Sequence, residues 1–144
     1  MEFSKIKRKE FDFWTQLQTR WSDMDSMGHI NNASYLSYME TARVDFFAYL
    51  GLPKINKSLE NSVILASSEI SYLNQVSHPS ILSIGHRICR IGKKSFDLLS
   101  GVFPKGQKRP VCVALFKMVS FNYNINKSIL IPLEIINNNR NIDE

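Results

Sequence analysis

The sequence predicts an α+β domain in which a curved antiparallel sheet wraps around one long helix. One segment with the helical spacing of apolar residues lies early in the chain, and at least four strand-like segments follow it with no further helix between them. A chain of 144 residues fits one domain, since domains commonly contain about 100–150 residues. We therefore expect a single domain over residues 1–136 and a flexible, asparagine-rich polar tail over residues 137–144.

The first strand is predicted over residues 11–21. Apolar residues and threonines occupy every second position, which is the period of a half-buried strand. These positions are Phe11, Phe13, Thr15, Leu17, Thr19 and Trp21. Residues 22–32 follow and are rich in Asp, Ser, Gly and Asn, a composition typical of a loop that ends in a helix cap.

The helix is predicted over residues 33–50. Apolar residues recur at steps of three and four, and further apolar side chains lie on the other faces, so we expect a largely buried helix. Gly51 can adopt the left-handed conformation that follows a helix, and Pro53 prevents the helix from continuing.

Four further strands are predicted roughly over residues 63–73, 81–91, 94–103 and 111–123. Turn signals at His78-Pro79, Gly92-Lys93 and Gly106 separate them, so the later strands should form two tight hairpins. Both faces of residues 112–119 are apolar, as expected of a central strand.

The composition indicates a soluble globular protein, with 44% hydrophobic and 22% charged residues. No apolar stretch approaches the roughly 20 residues of a membrane-spanning helix. Residues 1–10 are charged and lack the apolar core of a signal peptide, so we expect a cytoplasmic protein. Cys89 and Cys112 have no C-x-x-C partner, and the three histidines lack a metal-ligand spacing; we expect two buried thiols and no metal site.

The net charge of +5 favours an anionic partner but does not say which one. A basic RNA-binding module is one alternative. The sequence shows no alternating stripe of basic and aromatic residues and none of the usual RNA-binding motifs, so we expect no nucleic-acid partner. The absence of a glycine-rich phosphate loop argues against nucleotide hydrolysis and dinucleotide binding.

The densest polar cluster covers residues 23–32, between the first strand and the helix. Loops held between rigid elements often carry catalytic groups. This cluster supplies carboxylates, an imidazole and the unpaired backbone N–H groups of a helix start, whose partial positive charge suits a developing oxyanion. Taken alone, however, Asp25 is equally explained as a turn cap and His29 as an ordinary hydrogen-bonding residue.

The same cluster begins a motif that resembles the signature of hotdog-fold thioesterases, in the 4-hydroxybenzoyl-CoA thioesterase-like and acyl-ACP thioesterase-like families. The motif reads Asp23-x-Asp25-x-x-Gly28-His29-x-Asn31-Asn32-x-x-Tyr35-x-x-Tyr38-x-Glu40-x-Ala42-Arg43. Two later segments also resemble the family, namely the mid-sheet hairpin at Gly92-Lys93-Lys94-Ser95-Phe96 and the closing segment at Ile131-Pro132. The resemblance therefore covers nearly the whole chain and implies the hotdog fold, a curved sheet around a long central helix.

The resemblance also implies an acyl-CoA thioesterase that hydrolyses a thioester to a free acid and a thiol. Asp25 would be the general base or the nucleophile, and the backbone N–H of Asn32 would bind the oxyanion. His29 would polarise the carbonyl or position water. Asp23 would be structural. Glu40 is the reserve catalytic carboxylate, although a structural ion pair with the nearby Arg43 is the simpler role.

Coenzyme A enters these expectations only as part of the substrate, because no separate cofactor is required. Lys93, Lys94 and Ser95 fall where family members receive the coenzyme A nucleotide, and lysines beside a hydroxyl suit phosphates, although a solvated hairpin tip is an equally simple explanation. The alternatives within the fold are an acyl-ACP thioesterase and a non-catalytic acyl-CoA-binding protein.

The family's subunits usually pair into a continuous sheet with the active site at the subunit interface. The resemblance therefore implies a homodimer or homotetramer, and an exposed final strand would be a natural joining edge.

Overall fold

The structure is a computed structural model that describes residues 1–52 and 59–142, so Pro53, expected to stop the helix, lies outside the described residues. Its strands are β1 (Phe13–Gln18), β2 (Ser62–Tyr72), β3 (Ile81–Ile91), β4 (Ser95–Pro104), β5 (Cys112–Asn122) and the short β6 (Lys127–Ser128). Its helices are α1 (Asn32–Tyr49) and α2 (Leu133–Ile136), and 3-10 turns cover Phe3–Lys5, Arg8–Glu10 and Trp21–Asp23.

The strands form one antiparallel sheet in the order β1-β3-β4-β5-β2, and β6 pairs with the end of β5. The curved antiparallel sheet around one main helix confirms the fold predicted from the sequence. The expectation of an exposed final strand is wrong, because β5 pairs with β4 on one side and with β2 on the other. The edge strands of the sheet are β1 and β2.

Helix α1 lies on one face of the sheet and forms the main core with it. Its buried side chains include Tyr35, Met39, Ala42 and Phe46, and they belong to the same apolar cluster as the inward-facing residues of β3, β4 and β5. Burial is limited to one side of the helix, because Leu36 and other side chains on the opposite side are exposed. Neither α1 nor α2 is long and apolar enough to cross a bilayer.

A second, smaller core covers the opposite face of the sheet. Phe3, Ile6 and Phe11 from the N-terminal segment pack there against side chains of β4 and β5. The ring of Phe11 lies over two glycines, and a Cβ atom would come within 2.6 Å of it at Gly85 and within 2.5 Å at Gly101. The first predicted strand therefore begins too early, because Phe11 lies on the opposite face of the sheet from Phe13.

The chain ends are joined to this face by Arg87, which is only 2% exposed. Its guanidinium donates to the carboxylate of Glu10 at 3.0 Å, to the carbonyl of Arg140 at 2.6 Å and to the carbonyl of Asn141. Arg140 in turn lies 2.7 Å from the carboxylate of Asp12. The expected flexibility of residues 137–144 stays a prediction, with these contacts to be set beside it, and residues 143–144 lie outside the described part.

Candidate active site

The loop before α1 is anchored by Asp23, whose side chain is buried. Arg20 donates to Asp23 Oδ1 at 2.9 Å, and the hydroxyl of Tyr38 donates to Oδ2 at 2.5 Å. Burial acts to raise the pKa of Asp23, but the hydrogen bonds from Tyr38 and Arg20 outweigh it and hold the pKa below its usual value. The backbone carbonyl of Asp23 also accepts from the N–H of Asn31 at 2.8 Å, so this residue fixes both ends of the loop.

Asp25 closes the turn inside that loop. Its Oδ1 accepts from the N–H of Met27 at 2.9 Å and from the N–H of His29 at 3.3 Å, and its own N–H donates to the carbonyl of His29 at 2.8 Å. The turn-capping role expected from sequence alone is therefore present. Both side-chain bonds end on Oδ1, and within residues 1–52 and 59–142 Oδ2 accepts no hydrogen bond.

A cleft of about 330 Å³ opens where this loop, the start of α1 and the end of β2 meet. It is lined by Asp25, His29, Ile30, Asn32, Tyr35, Tyr72, Leu73, Asn74 and Gln75. Three residues singled out in the sequence, Asp25, His29 and Asn32, thus share one cleft. The wall contributed by residues 72–75 was not predicted as part of a site, because nothing in their sequence marks a chemical motif.

The start of α1 presents one backbone N–H to this cleft that has no partner among the described residues. Asn31 caps the helix, since its side-chain oxygen accepts from the N–H of Ala33 at 2.9 Å and its carbonyl accepts from the N–H of Ser34 at 2.9 Å. The N–H of Asn31 is bound to the loop carbonyl of Asp23. The N–H of Asn32 is left without such a bond, at the end of the helix where the dipole is positive.

Glu40 does not line this cleft. It lies two helical turns after Asn32, its side chain is 71% exposed, and Arg43 approaches it at 4.0 Å. The two residues line a separate cavity of about 440 Å³ between the later part of α1 and the Ser62 end of β2.

Lys93, Lys94 and Ser95 form the turn between β3 and β4, at the opposite end of the sheet from the cleft. The cleft lies beside Tyr72, which pairs with Cys112 at the start of β5, and that residue pairs with Val102 near the end of β4. Strand β4 begins at Ser95, so most of its ten residues separate the two places. At about 3.3 Å per residue this corresponds to roughly 25–30 Å. One chain alone does not bring these three residues to Asp25.

Both cysteines are free and buried, as predicted. Burial raises the pKa of the Cys89 thiol to about 11 and that of the Cys112 thiol to about 12. Over the described residues, no group of three or more His, Cys, Asp or Glu side chains is arranged to hold a metal ion.

Comparison with known proteins places the chain among thioesterases. A family model described as "Thioesterase-like superfamily" matches residues 19–138. The uncharacterized protein YsmA of Bacillus subtilis (strain 168) is 31% identical over 98 residues, which are 68% of this chain and 65% of that protein. The matched part thus spans just under two thirds of this relative's length.

Solved structures share the fold over most of the chain. The PA5185 protein of Pseudomonas aeruginosa strain PAO1 has a TM-score of 0.84 and 26% identity, covering 91% of both chains. PA2801, a putative thioesterase of Pseudomonas aeruginosa, has a TM-score of 0.80 and 28% identity, covering 86% of this chain and 95% of its own. A thioesterase of Thermus thermophilus, complexed with coenzyme A and Zn, has a TM-score of 0.77 and 24% identity, covering 89% and 97%, and shows the fold alone. The sheet, its central helix and a family match over residues 19–138 agree, and the protein belongs to the thioesterase-like superfamily with a hotdog fold.

Proposed function

We propose that this protein is an acyl-CoA thioesterase and that the cleft at the start of α1 is its active site. The observation that carries the proposal is the presence in one cleft of a carboxylate, Asp25, and of an unoccupied helix N-terminal N–H, at Asn32. Thioester hydrolysis needs these two functions, a group that activates or replaces water and a donor for the negative oxygen.

In the proposed reaction the thioester oxygen accepts a hydrogen bond from the N–H of Asn32. Asp25 either removes a proton from the water that attacks the carbonyl carbon, or attacks that carbon itself to form an anhydride that water then hydrolyses. In both routes the C–S bond breaks and the sulfur leaves as a thiol after taking up a proton. His29 lines the same cleft, where its imidazole can position water or polarise the carbonyl. An oxyanion donor typically contributes about 2.7–4 kcal/mol of transition-state stabilisation.

Coenzyme A is the proposed carrier, as part of the substrate, and Lys93, Lys94 and Ser95 are the proposed contacts for its phosphates. Because these residues lie at the far end of the sheet, the proposal requires a second copy of the chain. Strand β2 is an edge strand with an exposed middle, and antiparallel pairing of two copies through β2 would set the Ser62 end of one beside the Tyr72 end of the other. The hairpin of one copy would then approach the cleft of the other. We propose a homodimer, or a tetramer of two such dimers.

The test is hydrolysis of a panel of short, long and aromatic acyl-CoAs, followed by thiol detection, for the wild type and for Asp25→Asn. Asparagine keeps an oxygen that can accept from Met27 and His29, so the turn should persist while the negative charge is lost. We expect turnover to fall by at least about 100-fold.

Glu40→Gln is the matched control, because it removes a carboxylate outside the cleft, and we expect near wild-type turnover from it. If Asp25→Asn retains wild-type turnover while Glu40→Gln loses it, the catalytic carboxylate is Glu40 and the assignment of Asp25 is wrong. Acyl-CoA binding without thiol release by the wild type would favour the non-catalytic alternative. Faster release from acyl-ACP than from acyl-CoA would favour the carrier-protein thioesterase.

A further inference from the structure

Tyr35 presents a hydroxyl group to the cleft that no part of the described chain satisfies. The residue is in the first turn of α1 and is only 2% exposed, yet it is one of the residues that line the cleft. Its two aromatic neighbours use their hydroxyls within the protein: Tyr38 donates to Asp23 at 2.5 Å, and Tyr72 donates to the carbonyl of Asn32 at 3.3 Å. Within the described residues, the hydroxyl of Tyr35 makes no hydrogen bond.

The ring of Tyr35 is held in place by those same neighbours. It meets Tyr38 edge-on, with ring centroids 6.1 Å apart, and it packs at a tilt against Tyr72 at 5.9 Å. Burial raises the pKa of Tyr35 to about 12, so the hydroxyl keeps its proton near neutral pH. The cleft therefore contains a fixed hydrogen-bond donor with a restricted orientation.

A fixed donor of this kind discriminates between ligands. In the free protein, water in the open cleft can satisfy the hydroxyl. A bound acyl group that displaces the water but offers no acceptor leaves the donor unpaired, at a cost of about 1–3 kcal/mol. An acyl group with a suitably placed oxygen avoids this cost, and sites that hydrogen-bond a substrate oxygen reject analogues that lack it.

We propose that Tyr35 is a specificity-determining residue, and that the acyl group bears a hydroxyl or keto oxygen that accepts a hydrogen bond from it. This inference rests on the proposed thioesterase function. We assign the bond to the acyl group because the reacting carbonyl has its own donor in the N–H of Asn32. The ring of Tyr72, bound through its hydroxyl to the carbonyl of Asn32, lies against Tyr35 and separates the two positions.

The test compares pairs of acyl-CoAs that differ by one oxygen, in an aliphatic and an aromatic series, with the wild type and Tyr35→Phe. The wild type should hydrolyse the oxygenated member of at least one pair with the higher kcat/KM. Tyr35→Phe keeps the ring contacts and removes only the donor. We expect it to lower that preference by about 10–100-fold, mainly through the oxygenated substrate.

Tyr72→Phe is the matched control, because it removes a phenolic hydroxyl from the same cleft that is already bonded within the protein. It should leave the preference for the oxygenated substrate unchanged. Equal loss on both members of a pair in Tyr35→Phe would place the hydroxyl on the coenzyme A arm or the reacting carbonyl and overturn the inference. So would a wild type without any preference, even with rapid hydrolysis.

Failure of the proposed function has a different signature, since the wild type would then release no thiol from any substrate. Calorimetric binding of the same acyl-CoA pairs tests Tyr35 in that case as well. Tighter binding of the oxygenated member that disappears in Tyr35→Phe would support the inference, and equal binding of both members would overturn it.

Discussion

The side chain of Asp25 illustrates how one residue can have a structural and a proposed chemical role together. Sequence reasoning set a turn cap against a catalytic carboxylate, and the capping bonds are present on Oδ1. They occupy one oxygen, while Oδ2 has no bond within the described residues. A carboxylate fixed through one oxygen is oriented without using all its acceptor capacity. The two explanations are therefore compatible, and the catalytic role stays a prediction that Asp25→Asn tests.

His86 is the residue that we expect to make stability depend on pH. It is fully buried, its Nδ1 lies 2.6 Å from the hydroxyl of Ser100, and its ring stacks on Phe46 with centroids 5.7 Å apart. Burial, together with the positive charge of Arg43, lowers the pKa of His86 to about 3. In the unfolded chain a histidine takes up a proton near pH 6.5.

Between these two values the unfolded chain binds a proton that the folded chain does not. The free energy of unfolding should therefore fall as the pH is lowered from about 6.5 towards 3. Urea unfolding of the wild type and His86→Gln at several pH values between about 7 and 4.5 measures this, above the range where Asp23 contributes. His86→Gln should show a shallower decline, whatever its absolute stability. Parallel declines in the two proteins would show that His86 does not titrate in this way.

At the level of elements, the sequence predicted most boundaries to within one or two residues. The helix expected over residues 33–50 is Asn32–Tyr49, and the strand expected over residues 111–123 is Cys112–Asn122. Alternation and turn residues are local signals, so they can be read in this way. The strand order could not be read, because pairing β2 with β5 depends on contacts between residues about 50 positions apart.

The N-terminal segment was the element that local signals misjudged. A charged terminus gave no sign that Phe3 and Ile6 pack on the outer face of the sheet. The pattern also placed Phe11 in the first strand, on the same face as Phe13, whereas β1 begins only at Phe13. The contact that explains this difference is the ring of Phe11 over Gly85 and Gly101, and it joins segments about 75 to 90 residues apart, beyond the reach of periodicity.

Gly101→Ala tests whether this contact holds the N-terminal segment on the sheet. The new Cβ would come within 2.5 Å of the Phe11 ring, so the ring must shift, and we expect a loss of about 1–3 kcal/mol in the free energy of unfolding. Chemical denaturation of Gly101→Ala, Phe11→Ala and the double variant gives the coupling. The glycine substitution should cost less when the ring is absent. Additive losses would mean that the ring does not limit the space at Gly101.

For the whole molecule, the motif brought Asp25, His29 and Asn32 into one cleft as the sequence led us to expect, but the predicted coenzyme A contacts lie elsewhere. Lys93 and Lys94 are at the far end of the sheet, near the Ser62 end of β2, since the N–H of Ser120 donates to the carbonyl of Lys94 and Ser62 pairs with the next residue of β5. Linear sequence order carries no information about which end of a sheet a loop occupies, so this separation could not be predicted.

The proposed dimer predicts that two defective chains restore each other. Asp25→Asn lacks the carboxylate, and a chain with Lys93, Lys94 and Ser95 all changed to alanine lacks the proposed phosphate contacts. In a mixed dimer joined through β2, one site combines the intact Asp25 of one chain with the intact hairpin of the other. Coexpression of the two variants should therefore recover about a quarter of the wild-type thioesterase activity, since about half of the dimers are mixed and each has one intact site.

The control mixes Asp25→Asn with a chain that carries all four substitutions, since no dimer in that mixture has a site with both halves intact. Size-exclusion chromatography with light scattering confirms that mixed dimers form in both cases. If the first mixture forms dimers but recovers no more activity than the control, the hairpin does not act across the subunit interface. Recovery in the first mixture alone requires that one chain reaches the cleft of the other, because within one chain the sheet keeps the two groups roughly 25–30 Å apart.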